Sequence, residues 1–272
     1  ELTGVTMLGK GVFEGCYSLN EVTLGENLTE IPNFTFQSCS SLSGLIVPAK
    51  VKRIGECAFM NSGMEAINIP SAVETIDTRA FQWCSSLEDV TFNEGLKTIG
   101  EYAFSDSYVE RVALPSTLET IGKNAFSNCT SIRTIVFPPK SIANMASGLF
   151  NGLWRLSRVE CEATVPPVIP ANTFDGSNGT LYVPTASIEA YKAADGWKYF
   201  GNVEGTTPVT GNGDANCDGV IDVLDFNIVI NYMLGMGGFS SEDAMNNANV
   251  NGDSSIDIVD VNGIINIILG IK

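Results

Sequence analysis

Histidine is absent from this sequence of 272 residues, and charged side chains are few, at 17% of the residues. Without histidine the chain cannot form a Ser-His-Asp or Cys-His catalytic arrangement or a zincin-type zinc site. It also lacks the usual general base near neutral pH. Basic residues are scarce too, with 15 against 31 acidic ones and a formal charge of −16. This charge disfavours nucleic acids and anionic membranes as partners and leaves cations and neutral ligands open.

Long apolar runs are missing as well. No run reaches the roughly eighteen apolar residues that span a bilayer, so we expect no transmembrane segment. The sequence begins at Glu1 without the charged and then apolar stretch of a targeting segment, which tells us little about its compartment. Hydrophobic residues make up 44% of the chain, which favours a folded protein of one large or two modest domains.

Phenylalanine recurs at intervals of 22 to 24 residues. The recurring positions are Phe13, Phe36, Phe59, Phe81, Phe104, Phe126, Phe150 and Phe174. An apolar residue, most often Ile, stands five positions before each Phe, and several copies read Ile-Gly-x-x-Ala-Phe. The Leu-x-x-Val/Ile-x-apolar segment after the Phe predicts a short strand. Because one such unit cannot bury its apolar side alone, stacked copies predict a leucine-rich-repeat solenoid with a continuous core.

Four cysteines stand three positions after a repeat Phe and are predicted to form one inward-facing row: Cys16, Cys39, Cys84 and Cys129. We interpret the third and fifth repeats, which lack this Cys, as one residue shorter. With repeats stacked about 4.8 Å apart, only Cys16 and Cys39 are neighbours. We expect both to be reduced, buried thiols. Cys161 is expected in the core, and Cys57 and Cys217 are expected to be exposed.

The Phe-x-x-Cys-x-x-Leu and Ile-Gly-x-x-Ala-Phe elements resemble the BspA-like leucine-rich repeats of bacterial surface proteins, over roughly residues 1–204. This resemblance implies a β-rich, right-handed solenoid and an extracellular or bacterial cell-surface location. Residues 181–204 also resemble the terminal element of that family. They imply a cap made of one strand and one helix.

The composition changes after the repeats. Residues 205–213, Gly-Thr-Thr-Pro-Val-Thr-Gly-Asn-Gly, are interpreted as a flexible linker, and residues 214–272 as a second domain. From residue 207 onward there are nine acidic side chains and one lysine. The first acidic segment has EF-hand spacing, with side-chain ligands at loop positions 1, 3, 5, 9 and 12 and a backbone carbonyl at position 7. These residues are Asp214, Asn216, Asp218, Val220, Asp222 and Asp225.

A second loop follows 35 residues later and places ligands at positions 1, 3, 5, 7, 9 and 12. These residues are Asn249, Asn251, Asp253, Ser255, Asp257 and Asp260. Because Ca²⁺ takes six to eight oxygen ligands, both loops are predicted calcium sites. The second should be weaker, since Asn249 replaces an Asp and Ser254 replaces the Gly of the turn. An apolar helix is predicted after each loop, which indicates twofold pseudo-symmetry.

Two loop–helix units with Asp at position 12, no helix before the first loop and a terminal Leu-Gly resemble a dockerin domain, over about residues 212–271. The resemblance implies a small α-helical domain that binds a cohesin module through one helix face. Loop positions 10 and 11, often hydroxyl-bearing in the best-known dockerins, are the apolar pairs Val223/Leu224 and Ile258/Val259. These pairs could contact a partner or pack against the solenoid, and the sequence leaves both alternatives open.

Glu160 and Glu162 are the most obvious carboxylate pair that could be catalytic, but their spacing on one strand fits an outward charged face better. Outward strand positions form ladders that become basic toward Arg133 and Arg158, which suits an extended protein or glycan ligand. We therefore expect a noncatalytic extracellular binding or adhesion protein. The alternative is a noncatalytic subunit of a polysaccharide-degrading assembly, recruited through a dockerin–cohesin interaction.

Overall fold

The computed structural model describes most of the chain, namely residues 2–174, 179–206, 213–217, 221–253 and 255–269. The chain divides into two units, residues 1–206 and 207–272. The predicted end of the solenoid at 204 and of the linker at 213 stay predictions. Strand pairing continues as far as Thr206, and residues 207–212 of the linker lie outside the described residues.

Short parallel strands build the first unit. In chain order they are β1 Glu30–Ile31, β2 Arg53–Ile54, β3 Ala66–Ile69, β4 Thr75–Ile76, β5 Asp89–Phe92, β6 Thr98–Ile99, β7 Arg111–Ala113, β8 Thr120–Ile121, β9 Thr134–Phe137, β10 Asn144–Met145, β11 Arg158–Cys161, β12 Thr180–Pro184 and β13 Asn202–Thr206. The helices are the 3₁₀ turn Thr185–Ser187, α1 Ile188–Ala193, α2 Val223–Met233, α3 Glu242–Ala248 and α4 Ile258–Leu269. The order of the strands in the sheets defines a parallel β-solenoid, as the repeat predicts.

Each repeat forms one rung, which we number from the first to the eighth by its Phe. The two-residue strands pair rung to rung in the order β1-β2-β4-β6-β8-β10, with the repeat Ile residues in register. The longer strands β7, β9, β11, β12 and β13 form a second sheet, and β3 and β5 form a third. We call the outward side of these longer strands the strand face.

The Ile-Gly step of the repeat has a steric reason. A Cβ atom at Gly55 would lie 2.6 Å from the backbone nitrogen of Asn33, and one at Gly100 would lie 2.5 Å from the carbonyl carbon of Asp77. Both neighbours belong to the preceding rung. At these two positions only glycine allows so close an approach to the preceding rung, whereas Pro32, Asp77 and Ala146 follow the short strand in other rungs.

The segment around each Phe is held by a third set of inter-rung hydrogen bonds. In the second rung, for example, the N–H groups of Phe34, Phe36 and Ser38 donate to carbonyl groups of the third rung at 2.7–2.8 Å. The residues two positions before and two after the Phe, which we call corner positions, have positive φ in the first seven rungs. These residues are Gly11, Gly15, Phe34, Ser38, Cys57, Asn61, Arg79, Trp83, Tyr102, Asp106, Asn124, Asn128, Gly148 and Gly152.

The repeat phenylalanines form a continuous stack. Neighbouring rings from Phe13 to Phe174 have centroids 4.9–5.6 Å apart and interplanar angles of at most 22°. Six of these eight rings, from Phe36 to Phe150, are essentially inaccessible to solvent. At the C-terminal end, Tyr191 and Trp197 are buried against the core, and the predicted cap over residues 181–204 stays a prediction.

The cysteine row is only partly as predicted. Cys39, Cys84 and Cys129 are buried, and each thiol donates to the carbonyl of the Phe in the preceding rung at 2.9–3.1 Å. Ser62 and Ser107 occupy the same position in the third and fifth rungs, so the row continues there as hydroxyl groups rather than being deleted.

Two predicted cysteine environments are wrong. Cys16 is exposed, because the first rung is open on its outer side. Cys57 is buried, although other corner residues such as Arg79 and Trp83 are exposed. Cys161 is buried and Cys217 exposed, as expected, and all seven cysteines are free thiols.

The second unit is a small helical domain. Helices α2 and α4 follow the two predicted loops and pack on each other. Helix α3 follows α2 and precedes α4 along the chain, and the sequence analysis did not predict it. Ser241 caps this helix, and its hydroxyl accepts from the N–H of Ala244 at 3.0 Å. The buried core of this unit is Ala215, Val229, Ala248, Val261 and Ile264.

Candidate functional site

The two predicted calcium loops have matching local structure. In the first, both oxygens of Asp225 accept backbone N–H groups, from Asn216 at 3.0 Å and from Asp222 at 2.9 Å. In the second, Asp260 accepts from Asn251 at 3.2 Å and from Asp257 at 2.9 Å. The pairs stand 35 residues apart, so the hydrogen bonds confirm the pseudo-symmetry that the sequence predicts.

The same acidic residues start the helices. Asp222 is the N-cap of α2 and accepts from the N–H of Leu224 at 2.7 Å, while Asp225 bonds back in a capping box. Asp257 accepts from Val259 in the same way, at 2.8 Å. Folding of each loop is therefore coupled to the first turn of the helix that follows it.

Three carboxylates are buried among the described residues of this domain. Asp225 and Asp260 are fully buried, and Asp214 is 7% exposed. The only basic residue after position 206 is Lys272, which lies outside the described residues. Burying a carboxylate is costly unless hydrogen bonds or a cation compensate its charge, and Asp225 and Asp260 are suited to hold a cation.

Asn249, at position 1 of the second loop, has a buried side-chain oxygen without a hydrogen-bond partner among the described atoms. Its amide nitrogen instead donates to the carbonyl of Asp253 at 2.5 Å. An amide oxygen left this way matches the hard oxygen ligands that Ca²⁺ uses. The residues present therefore fit a calcium ion.

Other predicted calcium ligands of the second loop form hydrogen bonds with one another. Asp253 accepts from the N–H and hydroxyl groups of Ser255 at 2.8 and 3.0 Å, and from the amide of Asn251 at 2.6 Å. In the first loop, Asp218 and Val220 lie outside the described residues. Within the described part of the chain, no group of three or more acidic or cysteine side chains is placed to hold a metal ion.

The apolar pairs at loop positions 10 and 11 are exposed. Val223 and Leu224 are 59% and 54% exposed, and Ile258 and Val259 are 55% and 52% exposed. Each pair begins a helix, so the pseudo-symmetry of the domain gives it two similar apolar patches. These four exposed side chains are not part of the buried core of the domain.

The strand face carries the second predicted surface. Register aligns Arg111, Thr134, Arg158 and Thr180 in one row across the strands. Arg158 pairs with Glu160 at 2.5 Å, and its guanidinium lies 3.7 Å from the ring centroid of Tyr182.

Arg133 precedes this row by one residue and is exposed. The two predicted contact residues therefore differ in their surroundings. Arg158 already contacts Glu160 and Tyr182, whereas Arg133 is exposed. Glu160, one of the two carboxylates considered for catalysis, is held in that same ion pair.

Comparison with protein families agrees with this architecture. Residues 2–64 and 52–180 match the BspA type leucine rich repeat region in six copies, and residues 212–269 match the dockerin type I domain. The chain therefore belongs to the BspA-type leucine-rich repeat family and carries a C-terminal dockerin domain. Both resemblances read from the sequence are confirmed.

Solved structures with a similar fold come from bacteria. The pneumococcal vaccine antigen PcpA is 14% identical, with a TM-score of 0.52 over 66% of this chain and 45% of that one. A leucine-rich repeat protein from Bacteroides ovatus is 20% identical, with a TM-score of 0.36 over 69% of this chain and 62% of its own.

A leucine rich cell surface protein from Faecalibacterium prausnitzii is 21% identical, with a TM-score of 0.34, over 72% of this chain and 62% of that one. This chain thus spans less than two thirds of the length of each of these three proteins. No curated protein matches the sequence. At these identities the PcpA match supports the fold alone.

Taken together, the repeat family and the dockerin domain indicate a noncatalytic role in protein interaction or at a surface. Dockerin type I domains in general bind calcium. Among the described residues, no helix is long and apolar enough to cross a membrane.

Proposed function

We propose that this chain is a noncatalytic, extracellular or cell-surface binding protein with two binding modules. The strand face of the solenoid recognises a protein or glycan, and the dockerin domain attaches the chain to a second protein. The observation that carries this proposal is the exposure of the paired apolar residues at the starts of α2 and α4. Their repetition by pseudo-symmetry supports a docking surface.

The proposed partner of the dockerin domain is a cohesin-type module. The family match over residues 212–269 supports this class of partner. The side chains at loop positions 10 and 11 are aliphatic, namely Val223, Leu224, Ile258 and Val259. The partner therefore needs an apolar patch at this place rather than groups that hydrogen-bond to hydroxyls. Packing of these four residues against the solenoid of the same chain is the competing proposal.

Calcium would hold the two loops in the binding-competent shape. We assign the first ion to Asp214, Asn216, Asp218, the carbonyl of Val220, Asp222 and Asp225. We assign a second, weaker ion to Asn249, Asn251, Asp253, Ser255, Asp257 and Asp260. The buried oxygen of Asn249, which has no hydrogen-bond partner among the described atoms, and the buried carboxylates Asp225 and Asp260 support these assignments.

Titration of the full chain with a panel of purified cohesin modules tests the docking proposal, in calcium and then in EDTA. A V223D/L224D/I258D/V259D variant should lose binding, because four charged groups replace the apolar contacts. V165D/V168D is the matched control, since these valines are 76% and 82% exposed in the solenoid. Unchanged cohesin binding in the fourfold variant, or none by the wild type, would contradict the proposal.

For the strand face, we propose Arg133 and Arg158 as contacts for an acidic partner. R133E should weaken such a partner more than R158E, since Arg158 is engaged by Glu160 and Tyr182. Affinity is measured for a partner captured from a surface proteome and then purified. Unchanged affinity in the R133E/R158E double variant would argue against this face.

The second candidate function is a noncatalytic subunit of a polysaccharide-degrading assembly, which the dockerin match supports. The two functions differ in what the bound cohesin belongs to. If the cohesin that binds comes from a scaffold carrying glycoside hydrolases, the assembly role is favoured. If it comes from a surface-anchored protein without such enzymes, the adhesion role is favoured.

A further inference from the structure

A pocket of about 370 Å³ opens on the corner side of the solenoid, and no strand-face residue lines it. It extends over the second to the fifth rung. Its lining includes Phe34, Glu56, Arg79, Gln82, Trp83 and Tyr102. The volume lies within the range of small-molecule sites, at the lower end.

The backbone conformation of the lining residues is unexpected for their size. Phe34, Arg79, Trp83 and Tyr102 occupy corner positions with φ between 56° and 62°. Glycine occupies all four corner positions of the first and seventh rungs, and asparagine both of the sixth. Glycine and asparagine adopt this conformation readily, whereas bulky side chains do so only under strain.

All the bulky corner residues converge on this one pocket. The other non-glycine corner residues of the solenoid are small or are Asn or Asp, namely Ser38, Cys57, Asn61, Asp106, Asn124 and Asn128. Strained conformations of bulky side chains that gather at one place, while the other corner positions carry glycine or small or Asn/Asp side chains, indicate a ligand site.

The chemistry of the pocket selects a class of ligand. Phe34, Trp83 and Tyr102 offer aromatic rings, and Trp83 is 51% exposed. Arg79, whose guanidinium lies 5.7 Å from the Tyr102 ring centroid, Gln82 and Glu56 offer planar polar groups. Because the charges of Arg79 and Glu56 cancel, the pocket has no net charge that would favour an ionic ligand.

A sugar ring matches this combination. Its C–H groups pack on an aromatic face, while its hydroxyl groups pair with amide, guanidinium and carboxylate groups that can each make two hydrogen bonds. We propose that the corner pocket binds one neutral sugar residue of a glycan, with Trp83 as the stacking platform. This site is separate from the strand face, and it does not depend on the dockerin domain or on calcium.

The test uses the full chain and a panel of soluble neutral hexasaccharides: cellohexaose, maltohexaose, xylohexaose and mannohexaose. Binding is followed by titration calorimetry. W83N and Y102N are the informative variants, because Asn128 and Asn124 occupy the same corner positions in the sixth rung. Both should keep the circular dichroism spectrum of the wild type and melt at the same or a higher temperature, because Asn relieves the backbone strain. Both should weaken hexasaccharide binding by about tenfold or more.

W154S is the matched control. Trp154 is 81% exposed in the seventh rung and is not part of the pocket lining, so its loss should leave affinity unchanged. Binding should also persist in EDTA. A heparin-derived hexasaccharide and casein peptides are titrated alongside the neutral panel. The proposal is overturned if no neutral hexasaccharide binds, or if only the heparin-derived hexasaccharide or the casein peptides bind. It is also overturned if W83N and Y102N bind the hexasaccharides as well as the wild type does.

Discussion

The solenoid and the dockerin domain handle buried polar groups in opposite ways. In the solenoid, the buried polar side chains of the described residues are neutral, such as Thr35, Ser62 and Ser107, and they bond to nearby groups. In the dockerin domain they are the carboxylates Asp214, Asp225 and Asp260. The first domain therefore bonds many of its buried polar groups internally, although the side-chain oxygen of Gln37 has no partner among the described atoms, whereas the second buries carboxylates that are suited to a cation.

The largest expected effect comes from removing calcium. Chelation with EDTA should unfold residues 213–269 or leave them loosely ordered, because the buried carboxylates then repel one another without compensation. The solenoid should keep its strand signal and its melting temperature. Circular dichroism and hydrogen exchange of the full chain measure both domains at once, and joint melting of the two would show that they are not independent.

A substitution in the solenoid core should destabilise the solenoid and leave calcium binding by the dockerin domain unchanged. F104A removes a ring that stacks on Phe81 at 4.9 Å and on Phe126 at 5.2 Å. We expect a loss of about 3–5 kcal/mol in the unfolding free energy of the solenoid. Calcium affinity, measured by calorimetry, should stay as in the wild type. A comparable loss of calcium affinity would mean that the dockerin domain depends on the solenoid core.

The two calcium loops should differ from each other. D214A should abolish the tight calcium-binding event, since Asp214 supplies a carboxylate where Asn249 supplies an amide oxygen. D253A should remove the weaker event and leave the tight one. Calorimetric titration of both variants separates the events, and the ranking is reversed if tight binding survives D214A but not D253A.

The smallest effect concerns pH. Burial raises the pKa of Cys84 to about 11 and that of Cys129 to about 12, from an ordinary value of 9.0. Their contribution to stability is complete below about pH 9 and is lost as the pH rises toward the folded-state values. At about pH 10 we expect a loss of about 1 kcal/mol for each thiol.

The matched variant for this prediction is C84S/C129S. Serine already occupies this row at Ser62 and Ser107, so the double variant should fold. Denaturant unfolding near pH 8 and near pH 10 should show a smaller alkaline loss in the variant than in the wild type. If the variant and the wild type lose equal unfolding free energy between pH 8 and pH 10, groups other than these two thiols cause the pH dependence.

Periodicity made the solenoid predictable, because each rung repeats the same buried positions. The Phe stack and the paired Ile strands stand where the sequence places them. The environment of Cys16 was not predictable from the row alone, since burial requires a rung on each side. The corner positions were missed, although Gly11, Gly15, Gly148 and Gly152 flank Phe13 and Phe150 as a visible signal.

In the dockerin domain, spacing predicted the loops and the helices that follow them. It did not predict α3, because a helix of seven residues carries no clear apolar periodicity. The sequence also could not show that Arg158 pairs with Glu160, since long side chains on one strand have several neighbours within reach. Loop spacing is a local property, whereas these two features depend on tertiary packing.

The corner positions have an evolutionary consequence. Their backbone is fixed by hydrogen bonds to the next rung, as when Trp83 donates to the carbonyl of Ser105 at 3.0 Å. A codon change at an exposed corner such as Arg79, Trp83 or Asn128 therefore alters the surface and leaves the Phe stack and the cysteine row intact. Duplication of a rung would copy its corners along with its core. A lineage of such chains can thus diversify its surface chemistry rung by rung while inheriting one unchanged interior.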